Sequence, residues 1–322
     1  MKILVAGGAG YIGSRLVPEL IGRGYEVDVV DLFWFGDHLP ETQNEHHAVV
    51  GYKRKLDMFD LSERDLKGYD QVIFLAGLSN DPMAEFSPSK NFVFNAAAPA
   101  YLAYIAKRAG VKRFIYACSC SVYGYTVNEL YNELSPTTCG YPYGISKLQG
   151  EQAVLHLQDE NFSVISLRKG TVSGYSPRMR LDLIVNTMFK CAMRDKVITV
   201  NNPAIWRPIL GITDAVNAYI RSVEANYGVS GVFNIASENY TVGEIADLVK
   251  EHVGTSVSVN IKNVQDFRNY KVTWEKAKTV LSYHPRQHVE NILDELSKNA
   301  SAFQDWDNPE YYNIQVLRGL EK

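Results

Sequence analysis

Lys2-Ile3-Leu4-Val5-Ala6-Gly7-Gly8-Ala9-Gly10-Tyr11-Ile12-Gly13 is the stretch that decides the architecture. The apolar run Lys2–Ala6 has the length of a buried strand and ends in glycines. Ile12, Leu16, Val17, Leu20 and Ile21 then recur at helical spacing, and Gly22 and Gly24 stop the helix. The intervening glycines satisfy GxGxxG (Gly8, Gly10, Gly13) and also GxxGxxG (Gly7, Gly10, Gly13). A strand, a glycine turn and a helix start let backbone approach a pyrophosphate, because no side chain stands in the way. The unpaired N–H groups of the helix start then face the anion. Gly7, Gly10, Tyr11, Ile12 and Gly13 are the expected contacts. Asp31 ends the next strand, Glu26–Asp31. A carboxylate there accepts ribose hydroxyls and repels a 2′-phosphate, which favours NAD over NADP. Leu32, Phe33 and Trp34 follow, so no Arg stands ready for that phosphate.

Working outward, the alternation continues. Residues 71–76, 113–118 and 163–168 read as strands, and 91–108 and 143–158 as helices. Strands alternating with helices of this length predict a parallel sheet covered on both faces. The second half is less regular. Residues 181–193, 213–225, 241–251 and 289–298 read as helices, and 197–200 and 208–211 as short strands. Thr241 and Glu244 have the spacing of a capping box. The expected fold is α/β: a Rossmann-type doubly wound parallel sheet with a smaller C-terminal α/β substrate-binding domain. The expected division is 1–174 and 175–322, with a soft boundary and segments that interleave.

Composition narrows the function. With 33 basic and 36 acidic residues the net charge is −3, which argues against nucleic acid as a partner. The 46% hydrophobic content is that of a globular chain. The four cysteines, Cys118, Cys120, Cys139 and Cys191, have neither CxxC nor zinc spacing, so no metal is expected. No apolar stretch is long enough to span a bilayer, and the N-terminus has no signal-like pattern. The expectation is a cytoplasmic protein with no membrane partner.

The chemistry is expected from two further motifs. Tyr143-Gly144-Ile145-Ser146-Lys147 places Tyr143 and Lys147 on one face of a helix, one turn apart. An ammonium beside a phenol lowers its pKa and makes it a usable base for a sugar hydroxyl. Cys118-Ser119-Cys120-Ser121-Val122-Tyr123-Gly124 ends a strand, so its hydroxyls can face the same cleft. Ser119 is suited to hydrogen-bond the reacting hydroxyl.

Together, GGAGYIG, the strand-end Asp31, CSCSVYG and YGISK resemble the extended short-chain dehydrogenase/reductase family, in particular its NAD-dependent nucleotide-sugar epimerase/dehydratase branch. The resemblance runs from Lys2 to about Leu296. It implies a sheet of about seven parallel strands, NAD as cofactor, a nucleotide-diphosphate sugar as substrate, and a homodimer formed through a four-helix bundle. It assigns Ser119, Tyr143 and Lys147 to catalysis. It places Asp57 and Met58, within a DIRD-like segment, at the adenine, and Leu75, Ala76 and Gly77 along the cofactor. Asn95 matches a helix Asn that braces the active-site strand and is counted with the cofactor residues. Arg207 and Arg268 match arginines that grip the substrate diphosphate, for which guanidinium is suited. Asp81, Cys120, Ser121 and Thr171 are the remaining expected substrate contacts. Cys139 and Tyr141 are expected to line the same pocket.

Departures from the pattern narrow the reaction. The related 4,6-dehydratases carry an Asp-Glu pair where this chain has Cys120 and Ser121, so dehydration is disfavoured. The 3,5-epimerases keep a Cys at the position of Ser121, and a one-residue slip reverses a side chain's face. A glucuronate decarboxylase is expected to carry a carboxylate in this run, and there is none. The common LR-aromatic-Phe-Asn run is replaced by Leu167-Arg168-Lys169-Gly170-Thr171. The expected activity is C4 epimerisation of an NDP-hexose through a 4-keto intermediate. The alternative is an NAD(P)H-dependent reductase of 4-keto sugars.

Overall fold

The computed structural model describes residues 1–40, 50–262 and 268–321. Seven strands form one sheet: β1 (Lys2–Ala6), β2 (Glu26–Asp31), β3 (Val50–Lys55), β4 (Gln71–Phe74), β5 (Arg113–Ser119), β6 (Ser163–Lys169) and β7 (Gly231–Ile235). Their order is β7-β6-β5-β4-β1-β2-β3, and every neighbouring pair is parallel. Strand order reverses between β1 and β4, which opens a crevice at their C-terminal ends. The helix Gly13–Gly22 and the helix Ile212–Glu224 cover one face through Leu16, Val17, Leu20, Ala215 and Tyr219. Ala98–Arg108 and Pro142–His156 cover the other through Leu102, Ala106 and Val154. A third core unites the helices Ile184–Arg194, Val242–Val253 and Val289–Lys298 with Val197–Asn201 and Trp206–Gly211 in a smaller lobe.

Residues after 174 are thus divided between the two lobes. Helix Ile212–Glu224 and strand β7 return to the large sheet, while the segments around them build the smaller lobe. The Thr241 capping box forms: Thr241 Oγ1 accepts from Glu244 N, and the Glu244 carboxylate accepts from Thr241 N at 2.7 Å. The segment expected as one helix over 91–108 contains a π-turn, Val93–Ala97. Pro99 is the physical reason. It has no N–H to offer the Asn95 carbonyl, and the Tyr116 hydroxyl donates to that carbonyl instead, at 2.9 Å. Such turns concentrate at functional sites, and this one lies behind the catalytic strand. Among the described residues no helix is long and apolar enough to cross a membrane.

Candidate functional site

A cavity of about 540 Å³ opens at the C-terminal ends of the strands. One end is the glycine turn: Gly7, Gly10, Tyr11, Ile12 and Gly13 line it. Gly7 has φ +84°, and a Cβ there would stand 2.4 Å from the Ala76 nitrogen. A Cβ on Gly13 would meet the Gly8 carbonyl oxygen at 2.2 Å. No side chain caps the following helix, although Ser14 N donates to the Gly10 carbonyl at 2.9 Å and Arg15 N to the Ile12 carbonyl at 3.1 Å, and a helix start of this kind suits an anion. At the tip of β2, Asp31 accepts from Ala9 N at 2.9 Å and from Phe33 N at 2.8 Å. Burial lifts its carboxyl above the usual range, and those backbone donors pull the other way. A bare glycine cradle beside a fixed carboxylate fits a dinucleotide with a free 2′-hydroxyl.

The strand β5 delivers Ser119 to the cavity at the point where the next turn begins. Its Oγ accepts from Ser121 N at 3.2 Å and from the Ser121 hydroxyl at 2.9 Å. Ser119 and Tyr143 line the same cavity. Tyr143 and Lys147 rise from the helix Pro142–His156, and Lys147 lines the cavity as well. That helix is pinned from beneath, because the Tyr116 hydroxyl donates to the Lys147 carbonyl at 3.2 Å. Burial, opposed by the Ser119 side chain, pushes the Tyr143 hydroxyl well above its ordinary pKa. Burial also lowers the Lys147 ammonium to about 8. The expected lowering of the Tyr143 pKa by Lys147 is therefore outweighed in the protein alone. Enclosure penalises the phenolate more than its neighbours stabilise it.

Arg207 and Arg268 also line the cavity. Arg207 lies over the Tyr270 ring at 5.6 Å, and Arg268 over Tyr141 at 5.8 Å. Arg268 is ion-paired with Asp81 at 2.8 Å. Thr171, Ser121, Leu75 and Gly77 also line the cavity. Tyr141 and Cys139 do not; Tyr141 acts from behind, beneath Arg268.

Several expected residues stand elsewhere. Cys120 requires a correction: it is fully buried and does not line the cavity. Its thiol donates to the Arg168 carbonyl at 3.1 Å, and burial raises its pKa. The chain leaves β5 at Ser119 and turns at Cys120, whose side chain joins Val122 and Tyr123 in the core. Cys120→Ala is expected to keep activity within about twofold and to cost about 1 kcal/mol of stability. Steady-state rates and urea unfolding check both. Asn95 is drawn into the protein by the π-turn rather than into the cavity. Its Nδ2 donates to the Leu78 carbonyl, the Asn91 side chain and the Ser146 hydroxyl. It thereby ties the Gly77 turn to the catalytic helix and acts by bracing. Ala76 contributes only its close backbone packing against Gly7. Asp31, Asp57 and Met58 do not line the cavity itself. Asp57 caps the short turn Met58–Asp60, Met58 is buried beneath it, and Leu56 N donates to the Asp31 carbonyl at 3.2 Å.

The sequence reading missed Lys169, Arg178, Arg180, Asp182, Tyr270 and Asn313, all of which line the cavity. Lys169 faces Ser119 across the β5–β6 ladder. Arg180 is paired with Asp182 at 2.8 Å. The available signal was the run Ser176-Pro177-Arg178-Met179-Arg180, two cations between a strand and a helix.

Comparison with known proteins agrees with this geometry. The model of the NAD dependent epimerase/dehydratase family matches residues 3–236. UDP-glucuronic acid decarboxylase 1 of Arabidopsis thaliana is 28% identical over 89% of this chain and 66% of its own length, so the chain spans just under two thirds of that relative. The structure of MoeE5 in complex with UDP-glucuronic acid and NAD has a TM-score of 0.80 at 25% identity, covering 92% of this chain and 97% of that one. UDP-glucose 4-epimerase of Thermotoga maritima shares the fold, with a TM-score of 0.80 at 24% identity over 93% of this chain and 100% of the other. The glycine cradle, the strand-end Asp31 and the family match agree on one cofactor, NAD, and the chain belongs to the NAD-dependent epimerase/dehydratase family.

Proposed function

We propose that the protein interconverts C4 epimers of a nucleotide-diphosphate hexose through a 4-keto intermediate. Bound NAD supplies the reversible hydride acceptor at the sugar carbon. Tyr143 takes the proton of the C4 hydroxyl and later returns it. Ser119 orients that hydroxyl and hydrogen-bonds the carbonyl that replaces it. Lys147, one turn along, adds positive charge that favours the phenolate. Arg207 and Arg268 hold the sugar nucleotide's diphosphate while the keto sugar presents its other face. Epimerisation needs the substrate anchored through its nucleotide while the sugar turns, and two arginines in the same cavity support that reading.

The observation that carries this reading is the state of the carboxylates. The two that line the cavity among the described residues are Asp81 and Asp182, and both are ion-paired, with Arg268 and Arg180. Elimination of water needs an available acid and base, and the run after Ser119 offers Cys120 and Ser121 instead. A second reading draws on the named relatives and on Lys169, a cation opposite Ser119 with no carboxylate at ion-pair distance among the described residues. If the sugar is a uronic acid, oxidation at C4 with NAD as hydride acceptor and the same three residues handling the proton would make a β-keto acid, which loses its C6 carboxylate as carbon dioxide before the hydride returns to C4 of the 4-keto pentose.

The test has two steps. Denaturing the purified protein is expected to release stoichiometric NAD, whereas an empty site or bound NADPH favours a ketoreductase. A panel of NDP-hexoses and UDP-glucuronic acid, followed by NMR, should then give a C4 epimer with no net change in cofactor. Release of carbon dioxide from the uronic acid selects the second reading.

A further inference from the structure

We propose that Arg178, contributed by the second half of the chain, is a ligand of the cofactor's diphosphate, and that the C-terminal helix holds it in place. The inference rests on the cofactor being NAD and is independent of the reaction at C4.

The first observation is a strap across the glycine turn. The Tyr11 hydroxyl donates to the Gly174 carbonyl at 2.6 Å, and the Ser176 hydroxyl donates to the Tyr11 carbonyl at 2.7 Å. Ser14 and Ser176 hydroxyls meet at 2.7 Å, and Arg178 N donates to Ser14 Oγ at 3.4 Å. The backbone of residue 178 therefore rests on the first turn of the helix Gly13–Gly22, whose N-terminus has no side-chain cap. An anion seated there meets N–H groups on one side and has Arg178 within side-chain reach on the other.

The second observation is the electrostatic state of Arg178. It lines the cavity, yet it is only 2% exposed. Its guanidinium lies 3.9 Å from the centre of the Phe35 ring. Nη2 donates to the Asn313 side chain, and Nε has no hydrogen-bond partner. Among the described residues no carboxylate lies within ion-pair distance of it, whereas its neighbour Arg180 is paired with Asp182 at 2.8 Å. Burial lowers its pKa to about 9. Asp182 and Asp31 act on it only from beyond ion-pair distance, and a buried guanidinium with no direct ion pair is costly, since buried charges are normally paired. A diphosphate supplies both the charge and the acceptors.

The third observation is the support. Asn313 donates to the Ser79 hydroxyl at 2.7 Å, and its backbone N–H donates to Asp182 at 3.3 Å. The helix Asn313–Leu320 is seated by Leu317 against Leu78 and Met83. Strap and helix together set Arg178 over the phosphates and slow the exchange of NAD.

The test compares full-length wild type, Arg178→Met, Arg178→Lys and Asn313→Ala. The readouts are NAD retained after gel filtration, NAD affinity by calorimetry, and UDP affinity as the control for the substrate end. Arg178→Met is expected to emerge without NAD and to bind it on the order of 10- to 100-fold more weakly, with UDP affinity unchanged. Arg178→Lys should recover part of the loss, and Asn313→Ala should show a smaller loss in the same direction. NAD retention and affinity unchanged in Arg178→Met would overturn the proposal. So would loss of UDP affinity with NAD intact, which would assign Arg178 to the substrate. If Arg178→Met fails to fold, the other two variants decide: weaker NAD binding in both supports the proposal, and unaltered binding in both refutes it.

Discussion

Replacing Tyr143 by phenylalanine is expected to lower kcat by about 10²- to 10⁴-fold while NAD stays bound. The change removes one oxygen and leaves the ring, so the cavity keeps its shape. What is lost, on the proposed mechanism, is the group that moves a proton at the sugar hydroxyl. Tyr143, Ser119, Arg207 and Arg268 all line one cavity. Burial keeps the tyrosine neutral in the protein alone, so proton transfer awaits a bound substrate and the positive charge gathered around it. Raising the pH should therefore not rescue Tyr143→Phe, because no remaining group at that position titrates. Turnover with the best substrate of the panel, alongside the nicotinamide content of the same preparation, checks both halves. Wild-type turnover in this variant would remove Tyr143 from the mechanism.

Replacing Arg168 by methionine is expected to cost about 3–5 kcal/mol of stability, measured by urea unfolding. Arg168 and Glu151 form a buried ion pair, and their side chains are 6% and 2% exposed. Arg168 also donates to the Tyr123 hydroxyl at 2.9 Å, which donates in turn to Asn234 at 2.7 Å. Glu151 accepts from the Ser166 hydroxyl at 2.8 Å. One network thus joins β6, β7, the catalytic helix and the turn after Ser119. Removing the cation leaves a buried carboxylate with one hydroxyl donor. That is far worse than removing both charges, so the double variant Arg168→Met, Glu151→Leu should recover most of the lost stability. If the double variant is as unstable as the single one, shape and not charge is what Arg168 contributes.

Much of this site was legible in the sequence because its rules are local. Gly7, Gly10 and Gly13 between a strand and a helix have one economical explanation, since a glycine turn is dictated by what cannot fit there. Asp31 follows from the length of β2. Ser119 follows from strand alternation, and Tyr143 with Lys147 from the pitch of a helix. The same local rule foresaw that a one-residue shift turns Cys120 away from the face of Ser121. It was then not applied to Cys120 itself, which the structure places in the core.

The doubly wound sheet, the glycine turn and the convergence of Ser119, Tyr143 and Lys147 on one cavity are legible without the tertiary structure. Each depends on residues within one strand, one helix or the turn between them. The tertiary structure decided which distant cations join them. Tyr11 reaches Gly174 across 163 residues of chain, and Ser79 reaches Asn313 across 234. No periodicity carries that information. Contacts at such separations are set by how two lobes close over a crevice, and it is this closure that brings Arg178 and Asn313 to a cavity whose floor is built from the first half of the chain.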